Sequence, residues 1–143
     1  ITTPDIATSF DNGMEFFSTF GGNTVSCAIG LAVLKVVQEE NLQDHALTVG
    51  EQLLNGIREL QRHYEIIGDV RGSGLFLGVE LTIDGQPATQ EAKRIVNTMR
   101  NNGILIGTDG PFNSVLKIRP PMPFSTADAT TFLDVLQRVL KHE

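Results

Sequence analysis

From Leu75 to Leu81 the apolar residues Leu75, Leu77, Val79 and Leu81 stand at every second position, with Phe76, Gly78 and Glu80 between them. Strict alternation puts one apolar row on one face of an extended strand, because successive side chains point to opposite sides. Ile66 to Arg71 reads as a shorter strand before it, and Gly72-Ser73-Gly74 breaks the two apart. A strand pair with one apolar face is not stable alone in water, so neighbouring segments must cover it. Those segments carry a different period. From about Gln43 to His63, Ala46, Val49, Gly50, Leu53, Ile57, Leu60 and Tyr64 keep the spacing of one helical face. From about Thr89 to Asn101 a second helix turns Ala92, Ile95, Val96 and Met99 inward, and Asn102-Gly103 ends it with a pair that tolerates left-handed backbone. Ile104-Leu105-Ile106 reads as a strand, Asp109-Gly110-Pro111 as a turn and Val115 to Ile118 as a further strand. Pro120-Pro121-Met122-Pro123 is a stiff connection that cannot join a central ladder. Ser125-Thr126-Ala127-Asp128 matches a capping box and opens a last helix with Phe132, Leu133, Leu136, Val139 and Leu140 on its apolar stripe. The order helix–strand–strand–helix–strand–strand–helix predicts an α+β layer, a small antiparallel or mixed sheet covered by helices on one face.

The first forty residues read differently. Thr3-Pro4-Asp5-Ile6-Ala7 suggests a short helix with Pro in its first turn, and Asp11-Asn12-Gly13 a turn. From Asn23 to about Glu39 or Glu40, Val25, Ala28, Ile29, Ala32, Val33, Val36 and Val37 mark a long helix, read as a connector between the α+β layer and something N-terminal to it. Ahead of that helix lies Ser18-Thr19-Phe20-Gly21-Gly22-Asn23. Asn23 is a good N-cap, and the helix start points free N–H groups back toward Ser18 and Thr19. The residues alone leave two readings open, an anion cradle or a turn and a cap. The chain begins at Ile1 without Met, inside what reads as the middle of a fold, so a piece of a longer protein is expected.

Composition narrows the chemistry. With 143 residues, 41% hydrophobic and 20% charged, the chain can bury a real core. A net charge of −6 with scattered Lys and Arg argues against nucleic acid, and no apolar run reaches the length of a membrane helix. The single cysteine, Cys27, rules out an internal disulfide; beside Ala28, Ile29 and Gly30 it reads as a buried, inert thiol in a reducing, cytoplasmic setting. His45, His63 and His142 fall on predicted helices without metal-ligand spacing, so no metal is expected. Arg71-Gly72-Ser73-Gly74 lies between strands and reads as a glycine-permitted bend, not a phosphate loop. In Leu116-Lys117-Ile118-Arg119 the two cations share one strand face, and Pro120-Pro121 fixes the chain direction beyond them. A guanidinium held at such a strand end can take a carboxylate through two parallel hydrogen bonds; a plain surface arginine is the other reading.

Three ordered motifs add a resemblance over the whole chain. Phe17-Ser18-Thr19-Phe20-Gly21-Gly22-Asn23-Thr24-Val25-Ser26-Cys27-Ala28, Val70-Arg71-Gly72-Ser73-Gly74-Leu75-Phe76-Leu77-Gly78-Val79-Glu80, and Leu116-Lys117-Ile118-Arg119-Pro120-Pro121 together resemble class III (omega-type) pyridoxal-phosphate aminotransferases. Asp11-Asn12-Gly13-Met14-Glu15-Phe16-Phe17 and Asp109-Gly110-Pro111 resemble most the branch of alanine–glyoxylate aminotransferase 2 and ethanolamine-phosphate phospho-lyase. The resemblance implies fold type I, with residues 1–22 the tail of a large cofactor-binding domain, 23–41 a connector helix and 42–143 a C-terminal α+β domain. It implies pyridoxal 5′-phosphate as cofactor, a homodimer, and small-molecule amine and carbonyl substrates. Thr19 matches the threonine that holds the cofactor phosphate of the partner subunit, and Arg119 the arginine that pairs with the substrate carboxylate. Thr24 stands where the family usually has Pro. The Schiff-base lysine belongs upstream of Ile1, and Lys35, Lys93, Lys117 and Lys141 do not match it, so the chain alone is expected to be inactive. Three functions follow as alternatives: a portion of an amino-group transferase, of a lyase acting on a phosphorylated amino alcohol, or a non-catalytic α+β interaction module.

Overall fold

The computed structural model describes residues 2–141; His142 lies outside the described residues. The chain divides into two compact units, Ile1–Val36 and Val37–Glu143.

In the first unit, α1 (Pro4–Phe10) starts with Pro in its first turn, where a missing N–H costs nothing. The side chains of Phe10 and Phe16 meet edge to face. Helix α2 (Thr24–Glu39) begins where Asn23 was read as a cap: its Oδ1 accepts the N–H of Ser26 at 3.0 Å. No residue of α2 is buried, and among the described residues no other element of the first unit packs on it; its last residues, Val37 to Glu39, fall in the second unit. Cys27 is therefore exposed, not buried as its apolar neighbours suggested. The helical period marks an apolar face correctly, but burial needs a partner element, and the described residues of the first unit supply none for this face.

The second unit is the expected α+β layer. Helix α3 (Leu42–Gln61) buries Val49, Gly50, Leu53, Ile57 and Leu60. Strands β1 (Ile67–Ser73) and β2 (Phe76–Ile83) pair antiparallel through Arg71↔Gly78 and Ser73↔Phe76. Asp84 and Gly85, both at positive φ (50° and 73°), make the tight turn to the short β3 (Gln86–Pro87). Helix α4 (Thr89–Asn101) ends as its sequence suggested. Gly103 has φ +83°, its N–H reaches the Arg100 carbonyl, and the Ile104 N–H reaches the Met99 carbonyl at 2.9 Å. Strands β4 (Gly107–Asp109) and β5 (Val115–Ile118) complete an antiparallel sheet of order β1-β2-β5-β4, with β3 beside β2. Helix α5 (Thr126–Lys141) packs between α3 and α4. The core, including Val79, Leu81, Ile95, Met99, Leu116 and Leu136, lies between the sheet and these three helices.

One strand is displaced. Ile104-Leu105-Ile106 is unpaired, and β4 starts only at Gly107. The register gives the reason. Gly107 pairs with Lys117, so a longer β4 would run alongside Arg119 and Pro120, and Pro120 has no N–H to give a ladder. Leu105 is accordingly 85% exposed despite its apolar side chain.

Candidate functional site

Thr19 lies in the first unit, in the loop before α2. Ser18 Oγ accepts the N–H of Gly21 at 3.1 Å, and Gly22 turns the chain with φ +71°. Thr19 is exposed, and its hydroxyl makes no hydrogen bond among the described residues. Asn23 takes up the N–H groups of Ser26 and Cys27, and α2 carries no acidic residue in its first turn. The first turn of this sixteen-residue helix thus carries no negative charge of its own against the positive end of the helix dipole. Of the two readings left open by the residues, the turn and the cap are present.

Arg119 lies in the second unit, one residue beyond β5. Leu116 and Ile118 are buried on the helix side of the sheet, which sends Lys117 and Arg119 to the other face. Pro120 and Pro121 stiffen the exit. The loop that follows is tied down from three sides. The Phe124 N–H reaches the Pro121 carbonyl at 3.0 Å, His45 Nε2 bonds the Phe124 carbonyl at 3.0 Å, and Gln52 Nε2 donates to the Thr126 carbonyl at 3.1 Å. His45 is a packed histidine that fastens this loop to α3; His63 is exposed beside Glu59.

A cleft of about 720 Å³ opens at this end of β5, bounded by the Gly103–Gly107 segment and the first half of α5. Lys117, Arg119, Phe124 and Asp128 line it. Its charges are unequally committed. Asp128 Oδ2 accepts the Ser125 N–H at 2.9 Å and the Ser125 hydroxyl at 2.6 Å, while the Asp128 N–H returns to Ser125 Oγ at 3.1 Å. This is the capping box the sequence announced, and those bonds from Ser125 hold the Asp128 carboxyl below its ordinary 3.8. Asp109, beside the cleft on β4, accepts Lys117 Nζ at 2.5 Å and the Gly110 N–H at 2.9 Å. The Lys117 hydrogen bond, then that of Gly110 and the charge of Lys117, hold Asp109 below 3.8; the charge of Arg119 adds a smaller share. Arg119 has no hydrogen bond or close ion pair among the described residues.

Arg71 is different. Its Nη1 contacts Asp69 Oδ2 at 2.5 Å and Glu80 Oε2 at 2.9 Å, so its guanidinium is already spent on the sheet. Gly72 beside it has φ +152°, and a Cβ there would stand 2.4 Å from the Phe76 carbonyl oxygen. The Arg71–Gly74 stretch is a hairpin device, as read, and not a phosphate loop. What sequence reasoning missed is the Lys117–Asp109 pair. The only signal for it was the parity of the two residues across a hairpin whose register the sequence did not state.

The family model for aminotransferase class III matches residues 1–140. The chain belongs to the class III aminotransferase family. It is 45% identical over 138 residues to the alanine–glyoxylate aminotransferase 2-like protein of Drosophila melanogaster, covering 93% of this chain and 28% of that protein. It is 38% identical over 143 residues to ethanolamine-phosphate phospho-lyase homolog 1 of Caenorhabditis elegans, covering 97% of this chain and 31% of that one. An Arthrobacter phospholyase solved in complex with phosphoethanolamine superposes with a TM-score of 0.91 at 34% identity, over 99% of this chain and 34% of that chain. The chain thus spans about a third or less of the relatives it matches. Fold type I is the architecture of these neighbours, and the α+β layer described above is part of it.

Proposed function

We propose that this chain is the C-terminal part of a pyridoxal-phosphate aminotransferase that moves an amino group between an amine or amino acid and a keto acid or aldehyde. The observation that carries the reading is the state of Arg119. It stands at a rigid strand end, lining a cleft, with both neighbouring carboxylates already bonded elsewhere. A guanidinium so placed is suited to a carboxylate through paired hydrogen bonds. Its role here is to orient the substrate by its anionic end.

The residues fit the phosphate of the cofactor. An unengaged hydroxyl, a helix N-terminus with no acidic residue in its first turn and a glycine turn with open space around Gly22 are what such a group requires. Thr19 would hold it, and in a homodimer would hold that of the partner subunit. When bound, pyridoxal phosphate supplies the electron sink for chemistry at the substrate carbon. Thr19 anchors and Arg119 orients; the proton-moving lysine is assigned to the part of the protein outside this chain, and the chain alone to an inactive state.

The phospho-lyase relative and the phosphoethanolamine complex favour a second reading, in which the anion met by the protein is a phosphate. The full-length protein decides. Under the first reading Arg119→Gln raises KM for glyoxylate about ten- to a hundredfold with a smaller change in kcat. An unchanged KM removes Arg119 from the substrate site. Phosphate release from phosphoethanolamine, without amino transfer to glyoxylate, replaces the first reading with the second.

A further inference from the structure

Arg119 is the first residue after β5 that the sheet does not hold. The last β2–β5 pair is Leu77↔Ile118, and β4 reaches only to Lys117. The chain beyond Arg119 must therefore fix it from the other side. Pro120 keeps Arg119 extended, because a proline ring crowds the helical region of the residue before it. The rings of Pro120 and Pro121 fix their own backbone torsions, and the Phe124 N–H closes a turn onto the Pro121 carbonyl at 3.0 Å. From Arg119 to Phe124 the backbone is thus a short stiff arm, joined to β5 at one end. His45 holds the other. Its Nε2 lies 3.0 Å from the Phe124 carbonyl, and because a carbonyl only accepts, Nε2 carries the proton of that bond. His45 is only partly buried and stands outside the hydrophobic core, so its commitment is to the arm. Gln52, about two turns further along α3, donates to the Thr126 carbonyl and the Thr130 hydroxyl. It fastens the start of α5 and leaves the arm to His45.

We propose that His45 is a positioning residue for the substrate anion: by holding the Phe124 carbonyl it holds the arm that begins at Arg119, and with it the place from which the guanidinium meets a carboxylate. The proposal rests on the reading of Arg119 as the contact for that anion. His45 touches no substrate; it acts through the Pro120–Phe124 backbone. Paired hydrogen bonds from a guanidinium to a carboxylate demand a fixed direction, so a small turn at the base of the side chain misaligns both. Loss of the tie therefore weakens the hold on the anionic end and leaves the chemical step nearly as it was.

The test is the kinetics of the full-length holoenzyme with glyoxylate. His45→Leu removes the donor and should raise KM about three- to tenfold while kcat stays within about twofold. His45→Gln, whose amide nitrogen stands as far along the side chain as Nε2, should return KM to within about twofold of wild type. His45→Asn, one bond shorter and still polar, should behave like His45→Leu, and it serves in its place if leucine prevents folding. Adding the leucine or asparagine substitution to Arg119→Gln should move KM no further, because the guanidinium that the tie places is gone. A KM unmoved by His45→Leu and His45→Asn, a fall in kcat without a rise in KM, no recovery with His45→Gln, or the same rise repeated in the Arg119→Gln background overturns the proposal while leaving Arg119 in place. If Arg119→Gln itself leaves KM unchanged, the reading of Arg119 fails, and this proposal with it. Absence of any turnover with glyoxylate ends both together. A merely structural loss would not sort the three His45 variants by the reach of a donor.

Discussion

Thr19 shows how a single hydroxyl can be read from its commitments. Its neighbour Ser18 spends its oxygen on the Gly21 N–H, and Asn23 spends its side chain on Ser26, so each holds the loop in shape. Thr19 contributes to neither bond and is exposed. Replacing it with valine keeps the volume and removes only the donor and acceptor. In the full-length protein Thr19→Val should therefore leave the thermal transition of the cofactor-free form unchanged. It should weaken pyridoxal-phosphate affinity by about 1–3 kcal/mol, the worth of a charge-assisted hydrogen bond. Titration of the cofactor-free protein with pyridoxal phosphate measures this directly. An unaltered affinity would assign Thr19 to the loop alone. Gly50 makes the opposite case, a residue whose importance lies in what it lacks. A Cβ there would sit 2.0 Å from the Gly74 carbonyl oxygen, so α3 can lie against the β1–β2 turn only without one.

At the scale of elements, the start of α5 ties stability to pH. The reciprocal bonds of Ser125 and Asp128 hold the Asp128 carboxyl below 3.8, its value when the chain is unfolded. A group whose pKa is depressed by folding stabilises the fold fully above the unfolded value and loses that contribution as pH falls through the folded one. Resistance to unfolding by urea should thus fall from about pH 4 downward, with part of the slope due to this box. Asp128→Asn should flatten that part of the profile, and a slope unchanged by the substitution would place the acid sensitivity elsewhere, Asp109 being the next candidate. The box, the Gly103 ending of α4 and the helical stripes were legible because each is a local pattern: spacing, a cap, a residue suited to positive φ. Two features were not legible, for one reason. Ile104-Leu105-Ile106 has the composition of a strand, and the Val25–Val37 stripe that of a buried face, yet whether either is paired or covered depends on a partner. For Leu105 the opposing residues across from β4 run into Pro120; for α2 the described residues of the first unit place no element on it. The site divides in the same way. Arg119 stood out through the alternation of Leu116–Arg119, whereas the Lys117–Asp109 pair emerged only with the β4–β5 register.

For the whole molecule, the opposing quantities are a net charge of −6 and the apolar surface of the first unit. Val25, Ile29, Leu31, Val33, Leu34 and Val36 are all more than two-fifths exposed on α2, and Phe16, Phe17 and Phe20 stand exposed before it. These residues wrap more than one side of the helix, a pattern that in a folded protein belongs to a covered element. Covering one such side chain is worth about 1.5–3 kcal/mol, so burying even a few between copies outweighs the entropy of weak association. Like charge on every copy opposes this, and salt screens it. The 143-residue chain should therefore self-associate in a concentration-dependent way, more strongly at 0.5 M than at 0.05 M salt. Sedimentation velocity would show a weight-average mass rising above the 15.6 kDa of one chain. Leu31→Lys with Leu34→Lys should return the monomer, because each places an ammonium where apolar contact is needed. A single 15.6 kDa species at every concentration and salt would mean that the α2 surface is covered within one chain in solution.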